Sequence, residues 1–438
     1  MANLKVGFGR MDITPEEYTT LAGFGNDSRR RATIILDRLQ GTCIAFEDET
    51  GKRMIFCTVD LLNAVSDTVV AGPRKSISAA TGIPEDHIMV SVTHTHSAPS
   101  MYSWNNEETN RYLTFYCKQL AKAAKQAIED LAQAEVFVGQ RNLPGMAFVR
   151  RYIRVNDILQ HLAQADDQVQ VMRFVRENAR DIVLVNWQAH VTFIGYHETD
   201  SEISADFVGH MRNHVEGSTG CHCAYFQGGA GNQAGRSRIP GNSIVPFDCD
   251  RFDGSRTYGK LLADGVIATL EENMRPVSVG PIQLIRTAYD AVVDHSTDDQ
   301  VEQAKIVQAG WYNYDTYQER VTFSKSLGFN GLLHANQVVN RSNMPPLFEL
   351  ELDTIAIGDI SFATLPFEMF ASNCKFIKDN TPFPMTFVLA YSNGSNSYLP
   401  DDAAFEHDIY EVNTRKFVRG TAEALADTHL ELLQKLHG

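Results

Sequence analysis

Apolar residues follow two patterns along the chain, and each pattern predicts one kind of secondary structure. Short apolar or alternating runs predict strands at residues 4–12, 31–62, 135–140, 168–175, 181–191, 221–228, 279–293, 348–364 and 385–391, and a further strand begins at His87. Apolar residues spaced three or four apart predict helices at residues 70–82, 105–133, 204–216, 256–273, 296–325 and 412–436. Residues 326–347 have little periodicity and are interpreted as a loop or lid. The alternation of strands and helices predicts an α/β fold.

No internal repeat and no low-complexity linker divides the 438 residues. The chain exceeds the usual size of one domain. We nevertheless predict one large catalytic domain over residues 1–438, with a possible smaller lobe at about 276–438. Composition does not change this picture, because 43% hydrophobic and 21% charged residues are ordinary values for a globular protein in water.

The net charge of −15 at pH 7 argues against a nucleic-acid or anionic-membrane partner. No apolar stretch approaches the roughly 20 residues that span a bilayer. We therefore expect a small-molecule substrate, no nucleic acid and no stable membrane association, whereas no signal specifies an oligomeric state. The seven cysteines are scattered, which indicates reduced thiols, and the chain starts in a strand pattern rather than a signal peptide. Both observations favour the cytoplasm.

Two histidines lie at the end of the strand that begins at His87. Side chains two apart in a strand share one face, so His94 and His96 are expected to point into the same cleft. Pro99 then ends the strand ladder and turns the chain out into a loop. Paired imidazoles at this position suit a metal or oxyanion site, and the alternative is two ordinary histidines at a strand edge.

Three buried strands end on polar residues that suit zinc, namely His94, His190 and Glu368. Catalytic zinc sites combine nitrogen and oxygen ligands with an open coordination position. The competing metal site is Cys221-His222-Cys223. Alternation along a strand places its histidine opposite its two cysteines, so one strand cannot supply all three as ligands. We interpret that segment as structural.

A glycine-rich turn covers residues 227–232. It lacks the lysine and hydroxyl residue of a P-loop, and it lacks the glycine spacing of a dinucleotide-binding turn. No nucleotide cofactor is therefore predicted.

Six segments, spread over nearly the whole chain, make the sequence resemble the neutral/alkaline ceramidases. In chain order they are Gly7–Thr14, His94–Pro99, Trp187–His190, Gly229–Asn232, Leu365–Glu368, and Tyr398 with Tyr410-Glu411. The resemblance implies a mixed-sheet, α/β/α layered catalytic domain that hydrolyses the amide between a fatty acyl chain and a sphingoid base. The family usually has a signal peptide and a C-terminal β-sandwich domain, and we expect neither in this chain.

The resemblance also implies a set of site residues. The zinc ligands would be His94, His190, Glu368 and Tyr398. The reaction centre would be lined by His96, Tyr410 and an arginine, which is either Arg150 or Arg151. The serine of the family falls on Ala234, and the nearby Ser237 is out of register, so no serine nucleophile is expected.

The expected chemistry works without a serine. Zn²⁺ with three protein ligands lowers the pKa of a bound water towards 7 and polarises a carbonyl group. His96 would stabilise the developing oxyanion or move a proton, Arg150 would bind an anion, and Tyr410 would hydrogen-bond the same oxygen. Asp60 is expected to orient a metal-bound histidine through its second ring nitrogen.

We therefore predict a zinc-dependent hydrolase that cleaves an amide, or an ester, in a small polar substrate. Two alternatives remain open at this point. One is a metal-dependent lyase or isomerase that acts on a sugar or a hydroxy acid. The other is a metal-binding pseudoenzyme, in which Ala234 marks the loss of activity.

Overall fold

The computed structural model describes residues 4–17, 19–24, 30–101, 107–150, 165–195, 201–236, 244–245 and 249–438. The strands are β1 (Lys5–Asp12), β2 (Ile34–Ile35), β3 (Gln40–Glu47), β4 (Arg53–Val59), β5 (Ile88–Val92), β6 (Ala132–Asn142), β7 (Phe148–Val149), β8 (Gln168–Arg176), β9 (Ile182–Trp187), β10 (Glu202–Ile203), β11 (His222–Gln227), β12 (Gln233–Ala234), β13 (Arg275–Val277), β14 (Ile282–Val292), β15 (Leu347–Ile357), β16 (Ile360–Thr364), β17 (Glu368–Met369), β18 (Met385–Leu389) and β19 (Tyr398–Leu399). The α-helices are α1 (Ala71–Thr81), α2 (Glu107–Glu129), α3 (Asp206–Thr219), α4 (Arg251–Glu272), α5 (Asp298–Gly310), α6 (Tyr317–Ser326), α7 (Leu332–Ser342), α8 (Ala371–Asn380), α9 (Tyr410–Asn413) and α10 (Thr421–His437). These elements confirm the predicted α/β class.

The larger sheet is mixed and has nine strands among the described residues. Its order is β11-β9-β8-β6-β1-β3-β4-β5, and β13 pairs with β6. The β4–β5 and β9–β11 pairs are parallel, and the other pairs are antiparallel. The strands β5 and β9 therefore lie at or near opposite edges of this sheet.

The larger sheet curls strongly enough to bring its two edges together. The Thr58 hydroxyl in β4 donates a hydrogen bond to the Tyr225 carbonyl in β11, with an O···O distance of 2.6 Å. The Arg10 guanidinium in β1 donates to the Cys223 carbonyl in β11. Because of this curl, the segments that follow β5 and β9 meet at one end of the sheet, although the strands themselves are far apart in its order.

A second sheet, in the order β14-β15-β16-β18, packs on the inner face of the first. Aromatic side chains of both sheets meet there, and the rings of Phe56 and Phe362 are 4.8 Å apart. Helices cover the outer faces, with α2 on β1 and β3, α1 on α2 and β5, α3 and α4 on β8, β9 and β11, and α8 and α10 on the second sheet. The helices thus form the outer layers, as predicted, and the middle layer consists of two sheets. The division of the chain into domains stays a prediction.

Three predicted segments differ in the structure. The helix predicted at 296–325 is two helices, because Thr316 begins a new one by accepting a hydrogen bond from the Glu319 amide. The loop predicted at 326–347 contains α7, a short helix that packs Val338 into a small core with Trp311. The helix predicted at 412–436 begins only at Thr421, because Gly420 precedes it with a left-handed φ of 86°.

The seven cysteines are free thiols, as the sequence analysis predicted. Cys43 and Cys57 face each other across β3 and β4 with their sulfurs 3.4 Å apart, and both are fully buried. Among the helices of the described residues, none is both long and apolar enough to cross a membrane. The cytoplasmic location stays a prediction.

Asp60 does not have the role predicted for it. Its carboxylate accepts two hydrogen bonds from the Arg212 guanidinium in α3, at 2.9 and 2.6 Å, and a third from the Gln40 amide at 2.8 Å. Asp60 and Arg212 are both almost completely buried. The Asp60 carboxylate at the end of β4 thus anchors α3 and does not orient a histidine ring.

We expect Asp60→Asn to lower the free energy of unfolding by about 3–5 kcal/mol, because it leaves the buried Arg212 charge without its partner. Urea unfolding at pH 7 measures this change. The control is Arg38→Ala, which breaks the exposed ion pair with Asp12 and should cost less than about 1 kcal/mol. Equal losses in the two variants would contradict the anchoring role of Asp60.

Candidate metal centre

His94 lies just beyond β5 and not within it. Its backbone has a left-handed φ of 66°, and its amide donates to the Leu61 carbonyl at 3.0 Å. The Nδ1 atom of its ring is 2.7 Å from the Leu62 carbonyl oxygen. The predicted convergence of His94 and His96 is therefore present, but it arises from an irregular segment beyond the strand and not from strand alternation.

His190 follows β9 and is fully buried. Its Nδ1 atom is 2.7 Å from the Ala230 carbonyl oxygen, which belongs to the glycine-rich turn. Its amide donates to the Gln233 carbonyl at 3.0 Å. The turn that showed no nucleotide signature thus orients this histidine.

The hydrogen bonds of His94 and His190 determine their tautomers. A carbonyl oxygen only accepts, so the Nδ1 atom of each ring carries the proton and each neutral ring has an unprotonated Nε2. These two Nε2 atoms are 3.0 Å apart. Two nitrogen lone pairs facing each other at this distance repel, unless a proton or a cation lies between them.

His96 and Glu368 complete a cluster around the two facing nitrogens. The Nε2 atom of His96 is 3.3 Å from that of His94. The Oε2 atom of Glu368 is 3.4 Å from the His94 Nε2 atom and 3.5 Å from the His190 Nε2 atom. This oxygen is buried and has no hydrogen-bond partner among the described residues. Ligands about 2.1 Å from a tetrahedral zinc ion lie roughly 3.4 Å apart, so the spacing fits such an ion.

The environment keeps two of these imidazoles neutral. Burial lowers the pKa of His190 well below its usual value, and the nearby Arg150 charge lowers it further. Burial also lowers the pKa of His96, together with His94, Arg30 and Arg150. Burial thus disfavours a proton on His190 or His96, and a cation bound to the facing Nε2 atoms would relieve the repulsion between them.

Tyr398 lies beside Glu368, because β17 and β19 form a short parallel ladder in which these two residues are partners. Its ring is nearly parallel to that of His190, with the ring centroids 6.4 Å apart. Its hydroxyl oxygen accepts a hydrogen bond from Arg150 Nη2 at 3.0 Å. Burial raises the pKa of Tyr398 well above its usual value, and Glu368 raises it further.

The structure also brings Arg150 and Tyr410 to this cluster. Arg150 Nη2 donates to the Gly231 carbonyl as well as to Tyr398, and Arg150 Nε donates to Glu411. Burial lowers the pKa of Arg150, but Tyr398 and Glu411 raise it more, so its guanidinium stays charged. The rings of Tyr410 and Tyr398 are 5.5 Å apart. The predicted alternative Arg151 and the out-of-register Ser237 lie outside the described residues.

His96 differs from the other two histidines in its second nitrogen. Its Nδ1 atom is buried and has no hydrogen-bond partner among the described residues. Gly23 lies so close that an added Cβ atom would be 2.7 Å from this nitrogen. The ring of Phe24 lies 4.7 Å from the His96 ring, and the buried Arg30 donates to the His96 carbonyl. Within the described part of the chain, no backbone carbonyl orients the His96 ring as it does those of His94 and His190.

Sequence reasoning missed Gly23, Phe24, Arg30 and Glu411. Arg30 is one of three consecutive arginines, a pattern typical of an exposed, charged segment, yet it is 2% exposed. Glu411 follows Tyr410 directly in a segment that carries the family resemblance, and this proximity was the one available signal. The Cys221-His222-Cys223 segment lies apart from the three histidines, and the ring of its His222 stacks on Phe8 at 4.1 Å.

The glycine-rich turn packs directly against the segment that carries Glu368. A Cβ atom on Gly231 would overlap the Glu368 carbonyl oxygen, and one on Gly229 would lie 2.5 Å from the Cys374 sulfur. The Asn232 side chain accepts a hydrogen bond from the first amide of α8, that of Ala371, at 2.9 Å. Ala234 forms an isolated bridge with His190, so the position of the family serine lies next to a candidate ligand.

Comparisons with known proteins identify the family of this chain. Residues 4–227 match the sequence model of the family described as neutral/alkaline non-lysosomal ceramidase, N-terminal. The neutral ceramidase of Pseudomonas aeruginosa is 25% identical over 275 residues, an alignment that covers 58% of this chain and 40% of that protein. The chain thus spans less than half the length of that relative.

Two solved structures have the same fold. The crystal structure of neutral ceramidase from Pseudomonas aeruginosa matches all of this chain and 75% of its own chain, with a TM-score of 0.78 and 18% identity. A ceramidase complexed with C2 matches with the same coverage and identity and a TM-score of 0.75. These matches confirm the predicted layered α/β architecture.

We expect Gly231→Ala to weaken metal binding and to lower the melting temperature, because the new methyl group displaces the Glu368 backbone. Calorimetric unfolding and metal analysis of the purified variant measure both effects. The matched control is Gly217→Ala on the exposed surface of α3, where a Cβ atom meets nothing within 4 Å. That change should stabilise the protein by about 0.4–1 kcal/mol. Normal metal content in Gly231→Ala would show that the close packing has no bearing on the site.

Proposed function

Because the chain belongs to the neutral/alkaline non-lysosomal ceramidase family, we propose that it is a zinc-dependent hydrolase that cleaves an amide, or an ester, in a small polar substrate. Family membership supports amide hydrolysis as the reaction class. The neutral ceramidase of Pseudomonas aeruginosa is similar over only 40% of its length, so the substrate and the metal follow from the residues of this chain.

One observation carries the proposal, namely the facing Nε2 atoms of His94 and His190, 3.0 Å apart, with the unpaired Glu368 oxygen beside them. Each nitrogen presents a lone pair, the oxygen presents another, and burial disfavours a proton on His190. A divalent cation satisfies all three groups at once. Nitrogen and oxygen ligands without a thiolate are typical of catalytic zinc.

We assign His94, His190, Glu368 and Tyr398 as the residues that would hold the ion. When bound, a zinc ion supplies a Lewis acid that polarises a carbonyl group and activates water. The four side chains come from segments fixed by backbone hydrogen bonds, so the site needs little rearrangement to accept a cation.

His96 is assigned to the substrate rather than to the ion. Among the residues that the structure describes, none holds its ring through a carbonyl as the rings of His94 and His190 are held, and burial lowers its pKa, so the neutral ring offers a nitrogen that accepts a proton. Arg150 presents a fixed positive charge that stabilises an anionic oxygen. Tyr410, next to Tyr398, is a hydroxyl donor for the same oxygen.

Ala234 supports water as the nucleophile. Its methyl group lies next to His190, where the family resemblance has a serine, and so this position offers no hydroxyl group. Polar groups surround the candidate site, and the chain carries a net charge of −15, which disfavours approach to an anionic bilayer. Both points favour a small polar substrate over a lipid. The free thiols of all seven cysteines support a reducing compartment, and we propose the cytoplasm.

We expect purified protein to contain about one zinc ion per chain, and His94→Ala or His190→Ala to empty the site. His96→Ala should keep the zinc and lower kcat by about 10²- to 10⁴-fold, the range for loss of a proton-transfer group or an oxyanion donor. Metal analysis and steady-state kinetics on the same preparations measure both quantities. Equal zinc loss in all three variants would make His96 a ligand, and full zinc in all three would refute the site.

The reaction class is tested with a panel of N-acyl amino acids, N-acyl amino sugars and uronates in ¹⁸O-labelled water. A hydrolase gives two products with one ¹⁸O atom in the released acid, whereas a lyase gives an unsaturated product. We expect negligible turnover of long-chain ceramide. Rapid hydrolysis of a long-chain ceramide by the unmodified protein would contradict the proposed substrate class.

A further inference from the structure

A buried carboxylate lies behind the candidate metal centre, and neither the proposed chemistry nor the assigned ligand set uses it. Glu411 is in the first turn of α9, and its side chain is 0% exposed. Its Oε1 atom accepts a hydrogen bond from Arg150 Nε at 3.1 Å, and Arg150 Nη2 is 3.1 Å from the same oxygen. Both nitrogens on one edge of the guanidinium therefore face this carboxylate.

The same guanidinium is in direct contact with the candidate ligands. Arg150 Nη2 donates to the Tyr398 hydroxyl oxygen at 3.0 Å, and the Arg150 guanidinium carbon is 5.7 Å from the centre of the Tyr398 ring. Tyr398 is the ladder partner of Glu368 and stacks on His190. The permanently charged Arg150 guanidinium thus contacts Tyr398, one of the residues that we propose to hold a divalent cation.

Charges of the same sign repel strongly where burial excludes water. The side chain of Arg150 is 18% exposed, so solvent screens its charge only in part. A carboxylate in contact with the guanidinium offsets that charge, and its hydrogen bond also holds the guanidinium plane in the orientation that reaches Tyr398.

We infer that Glu411 is a positioning residue, which compensates the charge of Arg150 and fixes its orientation, so that an arginine and a metal ion are able to occupy one buried site. This inference rests on the proposed metal site. It assigns to Glu411 no contact with substrate or metal, and its effect on the site should act mainly through Arg150.

A double-mutant cycle on zinc affinity, measured by competition with a chromophoric chelator, tests this dependence. Glu411→Gln keeps the shape of the side chain and removes its charge. We expect it to weaken zinc binding about 10- to 100-fold, the range for loss of a residue that supports a ligand. In the Arg150→Gln background, the same Glu411→Gln change should alter the affinity by less than about threefold, because no guanidinium remains for the carboxylate to orient.

Asp353→Asn is the matched control. Asp353 is also fully buried and accepts two hydrogen bonds from an arginine, Arg286, at 2.7 Å each, but it lies in the second sheet. Its loss should destabilise the fold and leave zinc affinity unchanged. Equal weakening of zinc binding by Asp353→Asn and Glu411→Gln would mean that general destabilisation explains the effect, and the inference would fail.

The remaining outcomes separate this inference from the proposed function. Unmodified protein that binds no zinc refutes the metal site itself. If the unmodified protein binds zinc but Glu411→Gln has the same effect in both backgrounds, or none in either, only the role of Glu411 is overturned. If Glu411→Gln is insoluble alone, recovery of soluble protein on adding Arg150→Gln supports the dependence, and an insoluble double variant overturns it.

Discussion

The candidate site depends on two backbone hydrogen bonds that point two imidazole rings at each other. The Leu62 carbonyl fixes the ring of His94, and the Ala230 carbonyl fixes that of His190. Each bond determines which ring nitrogen is protonated, and together they leave two bare nitrogens 3.0 Å apart in a buried space. Such an arrangement is unfavourable by itself, and it persists because the surrounding backbone determines it. The curl of the larger sheet is what brings the two carbonyls to opposite sides of one site.

The charges around these rings are arranged in pairs. The Glu368 carboxylate faces the imidazoles, while the Arg150 guanidinium lies between Tyr398 and the Glu411 carboxylate. From the imidazoles towards α9, the negative Glu368 carboxylate is therefore followed by the positive Arg150 guanidinium and then by the negative Glu411 carboxylate. Elsewhere, Asp60 with Arg212 and Asp353 with Arg286 follow the same rule that buried charges are paired. The pair next to the candidate ligands differs in one respect, because its guanidinium also contacts a candidate ligand.

Much of this site could be predicted from the sequence, because its polar residues follow apolar runs. His190 and Glu368 lie three and four residues after the buried strands β9 and β16, and the family resemblance added Tyr398, Arg150 and Tyr410. The mixed α/β class also followed from the alternation of periods. By contrast, β5 ends at Val92, before His94 and four residues before His96, and His94 has a left-handed conformation, since local backbone geometry is not encoded in hydrophobic periodicity.

Contacts between distant segments were the part that periodicity could not provide. Asp60 has the position of an orienting residue, but its partner Arg212 lies 152 residues away. The glycine-rich turn matches no nucleotide-binding pattern, and only the tertiary structure shows that its Gly231 packs against the backbone of Glu368. The burial of Arg30, one of three consecutive arginines, could not be predicted for the same reason, because burial depends on the tertiary fold.

The contact between β4 and β11, which we call the seam, has a consequence for how the protein unfolds. The ladders that join the other strands of the larger sheet do not cross this seam, which is closed by side-chain contacts such as that of Thr58 with the Tyr225 carbonyl. A metal ion held by His94 and His190 would join the two segments that meet at this seam, and would act there as a removable cross-link. Loss of the ion would then speed the opening of the seam, so resistance to unfolding would be a matter of rate as much as of equilibrium.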